Sequence, residues 1–169
     1  ASSESRSVLS IGNRMRLVTF RLASAREGRA PVPGALVDGG RKVAVLPGFA
    51  SVVEIVGGGQ NALDRAYESL KHSPDVLALS NVTLLAPIPH PPQMRDFLCF
   101  EKHLVQAFKA IGKNPPQTWY ERPIFYHPSR FSVCGTGTDV PWPAYCKNLD
   151  FELEFGCYIG KPGKDIPKE

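Results

Sequence analysis

Gly34-Ala-Leu-Val-Asp-Gly-Gly-Arg-Lys-Val-Ala-Val-Leu46 sets the class of the fold. Two short apolar runs flank Asp38-Gly39-Gly40, and glycine supplies the positive φ that a tight hairpin turn needs, so the stretch reads as two strands around a turn. Upstream, Met15-Arg-Leu-Val-Thr-Phe-Arg-Leu22 alternates polar and apolar residues, the period of a half-buried strand. Downstream, residues 49–56 are apolar and fit either helix or strand. Gly57-Gly58-Gly59 breaks the chain, and Leu63, Ala66, Tyr67 and Leu70 then recur at helical spacing within residues 61–71. The three glycines lack the Lys-Ser/Thr of a phosphate-binding loop and read as a plain turn. Val82-Thr-Leu-Leu85 is the last strand of this region.

Composition agrees with a strand-and-turn protein. Sixteen prolines and fifteen glycines in 169 residues exceed the usual share and argue against a helix bundle. No apolar run approaches the roughly 20 residues that span a bilayer, so a membrane protein is not expected. Twenty Lys and Arg against sixteen Asp and Glu leave a net charge of +4. The basic residues are scattered, without a stripe or zinc-finger spacing, and no nucleic-acid partner is expected. Cys99, Cys134, Cys146 and Cys157 are widely spaced. They read as free thiols in a reducing compartment, with the cytoplasm as the expected address.

Four domains of behaviour follow along the chain. Residues 1–14 are small and polar, an extension. Residues 15–85 form a small N-terminal domain. Residues 86–93, with four prolines in eight positions, form a stiff linker. Residues 94–169 form a second module, read as mostly helical over 94–111, strand-like at Pro123-Ile-Phe-Tyr126, and turning at Gly135-Thr-Gly-Thr-Asp139. Its strongest strand pattern is Leu149-Asp-Phe-Glu-Leu-Glu-Phe-Gly-Cys-Tyr-Ile159.

Within that pattern Glu152 and Glu154 share one face and Phe151, Leu153 and Phe155 the other, which is expected to enter the core. Two glutamate arms can converge on a cation with all-oxygen ligands. Without one, charges about 4 Å apart repel by about 4 kcal/mol at an effective dielectric of 20. The alternative is an edge strand charged for solubility. Asp96 and His103 are seven residues apart, two turns of a helix and so one face. Asp96 offers an oxygen ligand and His103 a proton acceptor, or they are a helix-capping Asp and a surface His. Tyr126 and Arg130, in a proline-bounded aromatic and basic patch, suit an anionic substrate, although Tyr126 also reads as a core aromatic.

Taken together, Leu149-Asp-Phe-Glu-Leu-Glu154 with Ile159-Gly-Lys-Pro-Gly-Lys-Asp-Ile166, Asp96-Phe97 with His103, Tyr126-His127 and Gly135-Thr-Gly-Thr-Asp-Val-Pro141 resemble the fumarylacetoacetate hydrolase family. The opening at Met15 is similar to the start of that family's small N-terminal domain. The resemblance implies a mixed α+β, β-rich fold: a small N-terminal α/β domain, then the first part of a β-roll, incomplete in this chain. It further implies a homodimeric enzyme that uses Mg²⁺, Mn²⁺ or Ca²⁺ to cleave a C–C bond in a β-diketone or acylpyruvate-type acid. Decarboxylation or isomerisation of related keto acids, or a non-catalytic structural role, are the alternatives. By the same resemblance Glu152, Glu154 and Asp96 are metal ligands, His103 the catalytic base, and Tyr126 a substrate contact, with Arg130 beside it. Gln106 stands where acylpyruvase-type relatives carry the Glu that partners the histidine. The family also continues beyond the Glu-x-Glu strand into further sheet, so the chain is expected to be either the front part of a longer protein or a remnant that cannot close its own site.

Overall fold

The computed structural model describes residues 15–24, 29–72 and 75–167; the expected 1–14 extension lies outside them. Two units are distinguished, one made of Ala1–Pro89 with Cys134–Glu169 and the other of His90–Val133.

The first unit is built on β1 (Arg16–Leu22), β2 (Val32–Val37), β3 (Lys42–Val45), α1 (Val52–Gly57), α2 (Gly59–Lys71), β4 (Val76–Ala78) and β5 (Val82–Leu85). The strands form one sheet in the order β4-β3-β2-β1-β5, with every neighbouring pair antiparallel. Alternation does what it implies. Val18, Phe20, Val43 and Val82 bury on one face. On the other, Ala35 and Leu46 pack with Ile55 of α1 and Ala66 of α2. Gly34, opposite Val18, is required by packing: a Cβ there would sit 2.7 Å from the Ala44 carbonyl oxygen and 2.9 Å from the Phe20 ring. The expected turn closes β2 onto β3, with Asp38, Gly39 and Gly40 all at positive φ and the Arg41 guanidinium donating to the Asp38 carboxylate.

The ambiguous stretch at 49–56 resolves as helix for a local reason. Ser51 Oγ accepts the Glu54 N–H at 3.2 Å, and Glu54 Oε2 accepts the Ala50 N–H at 2.7 Å. Ser51 is thus the helix cap, with Glu54 reaching back to the residue before it, and this start lets Val52 and Ile55 bury. The glycine turn then separates α1 from α2. The proline-rich connector is anchored to the sheet by the nearly buried Thr19, whose hydroxyl donates to the Pro87 carbonyl at 2.6 Å.

Residues 134–167 of this unit contain no helix or strand. The turn after Gly135 is present, closed by the Thr138 N–H on the Gly135 carbonyl at 3.3 Å, and Gly135 lies against the backbone of Leu84 and Leu85. The expected strand at 149–159 is not formed. Phe151, Leu153 and Phe155, expected in the core, are 88, 97 and 87% exposed. A strand is held by neighbours that take its backbone hydrogen bonds and by a surface that covers its apolar row; among the described residues neither meets this stretch.

In the second unit β6 (Asp96–Phe97) pairs antiparallel with β7 (Phe125–Tyr126), and α3 (Glu101–Ala110) and α4 (Thr118–Glu121) lie in sequence between them. The helix expected over 94–111 therefore starts only at Glu101, because Asp96 and Phe97 are taken by strand pairing first. It ends as expected at Gly112, which adopts φ +69°. Leu104 is the one buried side chain among the described residues of this unit.

Candidate functional site

The β6–β7 pair positions two of the expected site residues. Asp96 is directly opposite Tyr126, and Phe97 opposite Phe125. Directly opposed residues share a face, so the half-buried Asp96 and the exposed Tyr126 stand together on one side. The Phe97 and Phe125 rings meet on the other with centroids 5.1 Å apart. The sequence separates these partners by thirty positions, and local periodicity carried no sign of their pairing.

His103 is on the first turn of α3, exposed beside the buried Leu104. The expected placement of Asp96 and His103 on one helix face is not what the structure shows, since Asp96 is in β6 and outside the helix. Gln106, one turn on from His103, is also exposed. Arg130 is engaged within the unit: its Nη1 donates to the Pro91 carbonyl at 3.2 Å, and its guanidinium lies 4.2 Å from the centre of the Phe131 ring.

A shallow hollow of about 360 Å³ lies elsewhere in this unit, lined among others by Phe97, Leu98, Cys99, Trp119, Arg122 and Ile124. None of the six expected site residues lines it. Its wall is held by the Trp119 indole N–H, which donates to the Leu98 carbonyl at 2.7 Å. Next to it, the Tyr120 hydroxyl donates to Glu101 Oε1 at 2.9 Å. That bond favours the protonated phenol and holds its pKa above the usual tyrosine value. The Thr-Trp-Tyr-Glu run at 118–121 was the available signal for this aromatic wall.

Glu152 and Glu154 belong to the first unit and are both exposed, on the stretch that forms no strand. Ordering the backbone of such a stretch costs about 1–2 kcal/mol per residue. Burial of Phe151, Leu153 and Phe155 would return about 1.5–3 kcal/mol each, but these side chains are bare. Among the described residues no three His, Cys, Asp or Glu side chains come together to hold a metal ion. The oxygen chemistry of the donors suits a hard cation, but as they stand these residues do not fit one.

Comparison with known proteins places these features. Residues 93–169 match the family model for the fumarylacetoacetate (FAA) hydrolase C-terminal region. The chain is 29% identical over 161 residues to "Oxaloacetate tautomerase fahd2, mitochondrial" of Xenopus laevis, covering 92% of this chain and 47% of the relative. It is 29% identical over 157 residues to "Oxaloacetate tautomerase FAHD2A, mitochondrial" of Homo sapiens, covering 90% and 47%. A shorter match, 27% over 74 residues, is to "Oxaloacetate tautomerase FAHD1, mitochondrial" of Mus musculus. The chain thus spans about half the length of the first two of these relatives. By the match over residues 93–169 and by these relatives, the chain is similar to the fumarylacetoacetate hydrolase family.

Proposed function

We propose that the chain serves an enzyme that interconverts the keto and enol forms of a small oxaloacetate-like keto acid. The observation that carries this reading is the breadth of the match: relatives named oxaloacetate tautomerase align over nine-tenths of the chain. The chemistry asks little of the protein. A base removes a proton from the carbon beside the carbonyl, the electron pair moves onto the carbonyl oxygen, and a proton returns to that oxygen. No water is consumed and no C–C bond breaks. His103 is the group assigned to accept and return the proton, since an imidazole carries both an acceptor and a donor nitrogen. Tyr126 and Arg130 are assigned to the substrate's carboxylates, with Arg130 leaving its Pro91 contact to do so. Glu152, Glu154 and Asp96 are kept as the ligands of a divalent cation in the assembled site, without a step routed through it.

Hydrolysis of an acylpyruvate-type acid is the second reading, favoured by the family's own description as a hydrolase. There water adds to a carbonyl and the C–C bond breaks to give two acids. In both readings the enzyme is a homodimer. Its address is proposed as mitochondrial, from the names of the relatives, in place of the cytoplasm expected from the thiols. Among the described residues no helix is long and apolar enough to cross a membrane.

Decay of the enol absorbance of oxaloacetate tests the first reading. His103→Ala is expected to slow the protein-dependent decay by about 100-fold or more. A decay no faster with the protein than without it removes the reading. Two acids formed from an acylpyruvate, with no effect on oxaloacetate, select the second.

A further inference from the structure

We infer that Trp119 and Tyr120 are positioning residues, whose two hydrogen bonds hold the chain between Asp96 and His103 and so fix where the imidazole stands relative to Asp96 and Tyr126. The inference rests on the roles given to those three residues in the proposed function, and deepens it by naming what sets their geometry. Every contact it uses is made inside the second unit.

Asp96 is on β6 and His103 on the first turn of α3, and only Leu98, Cys99 and Phe100 join the two elements. Such a link transmits position only if it is itself held. The start of α3 gives no help, since Phe100 occupies the cap position and supplies no side-chain hydrogen bond. The hold comes from a separate segment. The Leu98 N–H donates to the Ile124 carbonyl at 3.0 Å, one step beyond the β6–β7 pairs. The Leu98 carbonyl accepts the Trp119 indole N–H at 2.7 Å, and Glu101 Oε1 accepts the Tyr120 hydroxyl at 2.9 Å. Both donors are on the single turn of α4, and their rings meet edge to face with centroids 4.8 Å apart. One element therefore grips the link at its first residue and again just past its end. Two fixed points set direction as well as place, and His103 follows two residues after the second. Neither side chain touches the reacting atoms in this reading. Their leverage is geometric, because a misplacement of about 1 Å can cost on the order of 100-fold in rate.

Trp119→Phe and Tyr120→Phe test this, since each keeps an aromatic ring and deletes one donor. In the enol decay of oxaloacetate each is expected to lower kcat by about threefold to tenfold and leave KM within about twofold. Amide exchange at residues 104–107, whose N–H groups bond the carbonyls that open α3, is expected to quicken by about tenfold, with β1 to β5 unchanged. Tyr120→Phe made on top of Glu101→Ala should add less than about twofold, as partners in one bond do. Exchange that both substitutions leave unchanged would overturn the inference, and so would faster exchange with kcat unaltered. A rise in KM at constant kcat would also overturn it, by placing the two side chains in substrate binding. A parent protein without protein-dependent decay would remove the proposed function. The exchange measurement needs no activity, and quickening confined to the start of α3 would still uphold the hold of α4 upon it.

Discussion

Two stretches of this chain carry nearly the same pattern and have opposite fates. Arg16-Leu-Val-Thr-Phe-Arg-Leu22 and Asp150-Phe-Glu-Leu-Glu-Phe155 both alternate polar and apolar residues with a phenylalanine in the apolar row. The first is β1, flanked by β2 and β5, and its Phe20 is 1% exposed. The second pairs with nothing among the described residues, and its Phe155 is 87% exposed. Alternation fixes which side chains share a face, a local property of the extended backbone. Whether the face is covered depends on what else reaches it.

The largest expected effect tests that contrast at its centre. Phe20→Ala removes a fully buried ring from the sheet and is expected to cost about 3–5 kcal/mol in urea unfolding. Phe155→Ala is expected to stay within about 0.5 kcal/mol of the parent, as exposed positions do. A Phe155→Ala cost near that of Phe20→Ala would mean the late stretch is packed in solution, and the comparison would break.

Glycines sharpen it next. At Gly34 an added methyl meets the Ala44 carbonyl, Phe20 and Val43 within 3 Å, and two of these are core side chains that cannot swing away. Gly34→Ala is expected to cost about 1–3 kcal/mol, the usual range for overpacking. Gly156, in the late stretch, has nothing within 4 Å of the same added atom. Gly156→Ala should leave the urea midpoint within error, and a clear loss there would reveal a contact that the structure does not show.

How much was legible in the sequence divides along the same line. The strands at 16–22 and 42–45, the Asp38 turn and the helix ending at Lys71 follow from periodicity and turn chemistry acting over a few residues, and these were readable. The α1 helix was readable in principle, because Ser51-Val-Val-Glu54 is a helix-start signature, yet the apolar run around it obscured the period. Asp96 beside Tyr126 was not readable. It depends on a two-residue strand pair whose halves are far apart in sequence, and a seven-residue spacing to His103 suggested a helix that starts five residues later. The Glu152 and Glu154 pair was recognisable as chemistry from the sequence, and its lack of a formed strand was not. Residue types announce what a side chain can bind, whereas the surroundings that hold it in place are a property of the assembled fold.

A smaller effect is expected at the start of α1. Ser51→Ala deletes the acceptor for the Glu54 N–H and is expected to cost about 1 kcal/mol. Ser51→Asp restores an acceptor at the same place and should recover most of that loss. Failure of the aspartate to recover stability would show that the cost came from side-chain packing and not from the cap.

The smallest expected effect concerns charge in the turn. The hydrogen bond from Arg41 holds the Asp38 carboxyl below the ordinary 3.8, against the opposing effect of desolvation and with the charges of Arg41 and Lys42 adding to the attraction. A folded-state pKa below the unfolded one stabilises the fold above the unfolded value, and the contribution disappears as pH falls through the folded value. Asp38→Asn should therefore lower the melting midpoint slightly at pH 7, and the difference should close as the pH falls through the lowered folded-state value and the aspartate becomes neutral. Because the pair is exposed, 1 M salt should shrink the difference at pH 7. Asparagine also tolerates the positive φ of 51° found at this position, so the backbone of the turn is not what the substitution perturbs. A gap that did not narrow as the pH falls would assign the effect to the turn's backbone or packing. A gap that closes in acid and in salt ties this part of the sheet region's stability to a charge that its neighbours in the turn hold in place.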